Sequence, residues 1–118
     1  MVEEITTQEL VDKLEDDDVQ VLDIREQTEV NQTDGGFVPG SIHLPMSRLP
    51  LEIEDHDWSD EIYVICRHGN SSLQAARLLL AYEGVDEDAR VASVAGGYLD
   101  YDGELEYRGR AADPRAAA

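Results

Sequence analysis

The chain has 118 residues, enough for one domain with a modest core and too few for two independent ones. Its 27 acidic residues against nine basic ones give a formal net charge of −18, which argues against nucleic acid or anionic membrane as a partner, since both would repel it. The single cysteine cannot form an internal disulfide, which fits a reducing compartment and leaves one free thiol to be accounted for.

So acidic a chain could be disordered. Against that stand a hydrophobic content of 42% and clear periodic segments, which favour a folded domain under an acidic shell of the kind found in proteins of salt-loving organisms. At molar salt the screening length falls to about 3 Å, and the self-repulsion of such a shell largely vanishes. Lys13 is the lone lysine; the other basic residues are arginines. No charged start followed by an apolar stretch marks a signal peptide. The longest strictly apolar run, Leu78 to Tyr82, falls far short of a membrane span. A soluble, cytoplasmic protein is expected.

In chain order, Thr6 and Glu9 have capping-box spacing ahead of a helix that carries Leu10, Val11 and Leu14. The acidic triplet 16–18 ends it, and VQVLDI (19–24) reads as a buried strand. QTEVNQTDGG (27–36) is a short helix or loop closed by glycines, and Pro39-Gly40 is a turn before a brief strand at 41–44. Residues 46–58 form a polar, partly helical connection. EIYVI (61–65), β-branched and aromatic, is the strongest strand. A helix follows from Ser72 to Glu83, with Leu73, Ala76 and Leu80 on one stripe, Leu79 beside it and Gly84 as its stop. ARVASV (89–94) is a further strand, and Gly96-Gly97 opens a segment with helical character around 97–101. Strands alternating with helices predict an α/β domain with a small, mainly parallel sheet. The domain is expected over 1–107, with RGRAADPRAAA (108–118) as a flexible tail lacking large apolar side chains.

Cys66 lies at the seam between the strongest strand and the helix after it. In an open α/β sheet ligands sit beyond the carboxyl ends of strands, so the thiol is placed where binding occurs. If the loop curls around the sulfur, free amide hydrogens form an anion-binding nest, and the helix dipole and Arg67 favour thiolate over thiol. Gly69 allows backbone geometry that a side chain would obstruct, and Asn70, Ser71 and Ser72 suit capping and local hydrogen bonding. The expectation is a partly accessible sulfur in a bowl of inward-facing main-chain donors. The plainer reading is an inert core cysteine followed by ordinary turn chemistry. Spacing alone leaves the two open.

CRHGNSS (66–72) resembles the active-site loop of the rhodanese family, particularly its small single-domain thiosulfate sulfurtransferases. Three further stretches agree in order and spacing: DIRE at 23–26, GFVPGSIHLP at 36–45 and VAGGYLDY at 94–101. The likeness spans residues 5–101. It implies a rhodanese-like fold with helices on both faces of the sheet. It also implies sulfur transfer in which Cys66 attacks a sulfane sulfur, as in thiosulfate, and passes it as a persulfide to a thiol or cyanide. Arg67, His68, Gly69, Asn70, Ser71 and Ser72 would then line the substrate site, with no metal or organic cofactor required. A sulfur-acceptor protein is a further partner that the resemblance allows.

The departures from the family pattern are specific. Ser71 stands where many relatives carry a second loop arginine, which bears on the preferred donor. Phe37 replaces a histidine and Tyr101 a tryptophan, both read as packing changes. His43 and His56 are read as structural or exposed, Asp23 and Arg25 as an internal ion pair, and Gly96-Gly97 as a turn near the active loop. The acidic clusters at 15–18, 52–57 and 83–88 are read as solvated faces. One rival is a phosphatase or arsenate reductase, whose Cys-x5-Arg loop would require arginine where this chain has Ser72. The others are a non-catalytic binding module, which the retained cysteine argues against, and a sulfur carrier feeding thiolation of transfer RNA or a cofactor precursor.

Overall fold

The computed structural model describes residues 2–33 and 35–108. Along the chain the elements are β1 (Glu3–Ile5), α1 (Thr7–Lys13), β2 (Val19–Asp23), α2 (Gln27–Gln32), β3 (Gly36–Phe37), β4 (Ile42–His43), α3 (Leu49–Glu52), β5 (Glu61–Ile65), α4 (Ser71–Ala81), β6 (Arg90–Val94), α5 (Gly97–Asp100) and β7 (Glu106–Tyr107). A 3₁₀ turn, Ile53–Asp55, extends α3. The main sheet has the order β1-β6-β5-β2-β4 with every pairing parallel. This is the α/β architecture that the strand–helix alternation predicts.

The central strand explains its own sequence. Parallel strands covered on both faces need apolar side chains at every position, and EIYVI supplies them after its first residue. Ile62 and Val64 enter a cluster with Leu49 of α3 and Ala75, Ala76 and Leu79 of α4. Tyr63 and Ile65, pointing the other way, pack with Leu10 of α1 and Tyr98 of α5. Helices therefore cover both faces. Period-2 alternation places Cys66 on the α4 side with Val64.

The capping box forms as the sequence indicates: Glu9 N–H donates to Thr6 Oγ1 at 3.0 Å, and Thr6 N–H donates to Glu9 Oε1 at 2.9 Å. Three strands were not legible. β1 pairs with β6 at the sheet edge, and β3 and β7 form a separate antiparallel pair. Each is two or three residues long, too short for an alternating pattern to register.

The α4 stripe needs correction. Ser72, Ala75, Ala76 and Leu79 are the buried positions, whereas Leu80 is 43% exposed and Leu78 37% exposed. Of the expected stripe Ala76 is buried, as is Leu79 beside it, while Leu73 is half-buried and Leu80 exposed, because Ser72 and Ala75 supply the rest of the face against the sheet. The end also differs: the chain leaves the helix at Tyr82 in extended backbone (φ −82°, ψ 128°), before Gly84. Arg108 belongs to the folded unit, since its Nη2 donates to Ser41 Oγ at 3.3 Å and its guanidinium lies 4.5 Å from the Phe37 ring centre. The rest of the expected tail lies outside the described residues. Among the described residues, no helix is long and apolar enough to cross a membrane.

Candidate active site

Between the end of β5 and the start of α4 the chain must reverse direction within residues 66–70. Gly69 makes this geometry accessible. Its φ is +101°, and a Cβ there would lie 2.8 Å from the Gly96 nitrogen and 3.3 Å from the Val94 oxygen. In that conformation the Gly69 N–H donates to Cys66 Sγ at 3.1 Å. The Ser72 N–H, in the first turn of α4, donates to the same sulfur at 3.4 Å. First-turn N–H groups have no partner within their own helix. Here the flanking residue Asn70 makes no side-chain cap bond. The sulfur stands in for the missing cap acceptor, so one atom ends the strand, caps the helix and occupies the positive end of its dipole.

Ser72 contributes twice. Its Oγ lies 3.4 Å from Cys66 Sγ and 2.6 Å from Ser93 Oγ on β6, and both serines are fully buried. The floor of the loop is the turn into α5. Tyr98 N–H donates to the Cys66 carbonyl at 2.9 Å, and Leu99 N–H to the Arg67 carbonyl at 3.1 Å. Gly97, at φ +57°, presses against those two carbonyls, and a Cβ would collide with both. The Gly96-Gly97 turn thus brings backbone against the loop, as the sequence reading has it.

The residues anticipated around the cysteine divide into two sets. Gly69 and Ser72 are buried and turn their N–H groups to the sulfur, while His68, Asn70 and Ser71 are exposed at the mouth. Arg67 is half-buried; its Nη1 donates to Gln32 Oε1 at 3.3 Å, and its buried Nε has no hydrogen-bond partner among the described residues. Cys66 itself is only 5% exposed, more enclosed than the partly accessible thiol expected from the sequence. The cause is that one flank of the side chain belongs to the α4-side core while the loop folds over the other. Among the described residues, no group of three or more His, Cys, Asp or Glu is placed to hold a metal ion.

A second polar cluster adjoins the site at the end of β2. Arg25 and Asp23 are fully buried and paired, with Arg25 Nη2 2.7 Å from Asp23 Oδ2 and Nε 3.1 Å from Oδ1. The guanidinium also donates to the Gly36 carbonyl at 2.7 Å and sits 3.5 Å from the centre of the Tyr98 ring. Tyr98 donates to Asp23 Oδ2 at 2.9 Å and accepts from Val38 N–H at 3.0 Å. Burial, then the Asp23 charge, push the Tyr98 hydroxyl well above its ordinary value and keep it a donor. Asp23 and Arg25 are thus the internal pair the sequence suggests. Tyr98 and Ser93 were missed, because a lone tyrosine and a lone serine carry no spacing signal.

The remaining candidates are structural. His43 Nε2 lies 2.8 Å from the Arg25 carbonyl, and its ring tilts against Phe37 at 5.1 Å. His56 packs against Trp58 at 5.6 Å, and Tyr101 meets Tyr98 edge-on at 6.0 Å. The acidic residues of 15–18 and 83–88 are exposed, around a buried Val85; in 52–57 Glu54, Asp55 and Asp57 are exposed, while Glu52 is half-buried and paired with Arg48 at 2.6 Å.

A parallel α/β sheet with a cysteine cradled by loop and helix N–H groups at a strand's carboxyl end defines a class of nucleophile- or anion-binding domain. Comparison with known proteins makes the class specific. The family profile described as "Rhodanese-like domain" matches residues 6–104. The chain belongs to that family. YtwF of Bacillus subtilis (strain 168), which carries a provisional sulfurtransferase name, is 31% identical over 107 residues, covering 89% of this chain and 95% of that protein. A protein named sulfurtransferase from Allochromatium vinosum is 32% identical over 100 residues, covering 84% of this chain and 87% of its own. The crystal structure of a rhodanese-like domain protein from Staphylococcus aureus superposes with a TM-score of 0.71 at 28% identity, covering 92% of this chain and all of that one.

Proposed function

We propose that the protein is a sulfurtransferase in which Cys66 carries the sulfur. The observation that carries this reading is the pair of N–H donors, from Gly69 and Ser72, directed at Cys66 Sγ. Main-chain donors held by a glycine turn and a helix end stabilise negative charge without rearranging when it forms. In the first step the Cys66 thiolate attacks the outer sulfur of thiosulfate. The S–S bond of the donor breaks, its electron pair leaves on sulfite, and Cys66 becomes an anionic persulfide. In the second step an acceptor thiolate or cyanide attacks the terminal sulfur, and the Cys66 thiolate departs with the bonding pair. Two displacements replace one difficult transfer. Neither needs a metal.

Arg67 suits a dianionic donor, because its Nε has no partner among the described residues and a guanidinium binds oxyanions through several N–H groups. His68, Asn70 and Ser71 form the rim over which donor and acceptor pass. The relatives named as sulfurtransferases support the same chemistry. The phosphatase alternative is disfavoured by Ser72, which stands where that loop requires arginine and is buried against Ser93.

The test is steady-state turnover of thiosulfate with cyanide or a small thiol, beside hydrolysis of an aryl phosphate. Thiocyanate or persulfide formation without phosphate release is expected; the reverse pattern would refute the reading. The net charge of −18 further supports a protein suited to high salt, so activity and thermal midpoint should both rise with potassium chloride.

A further inference from the structure

The geometry points to Ser93, on β6, as a positioning residue that commits the Ser72 hydroxyl to the Cys66 sulfur. This rests on reading Cys66 as the sulfur-carrying nucleophile. Ser93 is fully buried, on the α4-side face of the sheet with Val91 two residues before it. It sits in register with Val64 of β5. Among the described residues its hydroxyl has Ser72 Oγ, at 2.6 Å, as its hydrogen-bond partner.

Each serine hydroxyl offers one hydrogen and accepts at its oxygen. Two arrangements are therefore open. If Ser72 donates to Ser93, the Ser93 hydrogen is left without an acceptor in an apolar setting. If Ser93 donates to Ser72, no hydrogen is stranded, and the Ser72 hydrogen is free to turn to Cys66 Sγ, 3.4 Å away. A stranded buried donor is costly, whereas an oxygen with a spare lone pair is tolerated more readily. The order that satisfies every hydrogen runs from Ser93 to Ser72 to Cys66.

That order matters to an anionic sulfur. It raises the donors on Sγ from two N–H groups to three. A hydroxyl that itself accepts a hydrogen bond is also a better donor, so Ser93 strengthens the contact it directs. With the neutral thiol, S–H donates to Ser72 Oγ instead, and one of the two serine hydrogens is then left without an acceptor. The serine pair thus discriminates between the two protonation states from beneath the loop, without touching the substrate.

The experiment measures the rate of Cys66 alkylation by iodoacetamide across pH, together with the thiosulfate reaction. Variants are Ser93→Ala, Ser93→Thr, Ser72→Ala and the Ser72→Ala/Ser93→Ala double. Ser93→Ala should slow alkylation about fivefold at neutral pH, the scale of one net hydrogen bond, and move the profile to higher pH. Ser93→Thr, which keeps the hydroxyl, should restore the wild-type profile. In the Ser72→Ala background, Ser93→Ala should have no further effect. An unchanged profile for Ser93→Ala, or an equal shift in the Ser72→Ala background, would overturn the proposal. Alkylation reads the relay even if no sulfur is transferred, so failure of the sulfurtransferase reading and failure of the relay give different results. Circular dichroism melts of each variant separate loss of fold from either.

Discussion

Two arginines sit near the carboxyl end of the sheet, and their surroundings are opposite. Arg25 is fully buried, with its guanidinium shared among Asp23, Thr33 and the Gly36 carbonyl and stacked on Tyr98. Arg67 is half-buried, touches Gln32 at 3.3 Å and keeps a buried Nε that has no partner among the described residues. The first is a closed polar network, in which the fold meets every demand that the charges make. The second is open, and it adjoins the enclosed Cys66 sulfur, which is held by the Gly69 and Ser72 N–H groups. Satisfied polar groups hold a structure together, whereas unsatisfied ones beside a nucleophile mark where a ligand supplies the missing partner.

The sharpest way to separate the two regions is substitution at their centres. Cys66→Ser should abolish sulfur transfer while changing stability by less than about 1 kcal/mol, because a serine keeps the cap acceptor and nearly the same volume. Turnover above background, measured with a folded variant, would break the assignment. Arg25→Ala should do the reverse in kind. It strands the Asp23 carboxylate, and losing one partner of a buried pair costs about 3–5 kcal/mol, read as a lowered denaturant midpoint. Stability within 1 kcal/mol of wild type would mean that the cluster is not what holds β2 to α5.

Those contrasts also explain what the sequence could convey. Cys66, the loop and the parallel sheet were legible because each leaves a local pattern: an apolar run, then small polar residues, then a helix. The Asp23–Arg25 pair was legible from its spacing after a strand. Its third member was not, since Tyr98 reaches Asp23 across 75 positions of the chain. Ser93 and Ser72, 21 residues apart, meet only because β6 lies beside β5. Burial of the sulfur was hidden for a related reason: its depth depends on the α4-side core that it joins and on the loop that folds over it. The α4 stripe was legible at Ala76 and Leu79 and missed at Leu80, because the small residues Ser72 and Ala75 take the places against the sheet that a count of large side chains assigns to leucine.

Smaller effects probe the open side of the comparison. Arg67→Ala should raise the KM for thiosulfate about tenfold with stability unchanged, since its guanidinium makes few contacts to lose. An unchanged KM would remove Arg67 from donor binding.

The smallest expected effect lies at the far end of the sheet, where Glu3, Arg90, Tyr63, Glu61 and Lys13 link the first residues of three strands to α1. Hydrogen bonding to Arg90 holds the Glu3 carboxyl below its usual range, and hydrogen bonding to Tyr63 does the same for Glu61. Groups lowered in the folded state contribute stability above the ordinary carboxylate range and lose it as pH falls through their lowered values. Acidification should therefore loosen β1 first, seen as faster amide exchange at Glu4 and Ile5 before the core responds. Simultaneous loss of protection throughout the sheet would contradict this.

In the proposed cycle Cys66 Sγ, capped by Gly69 and Ser72, carries the transferred sulfur. Intact mass spectrometry after brief exposure to thiosulfate tests it most directly. One added sulfur, about 32 Da, is expected on the Cys66 peptide, removed by cyanide. An unmodified mass under conditions that support turnover, or the added sulfur appearing equally in Cys66→Ser, would contradict it.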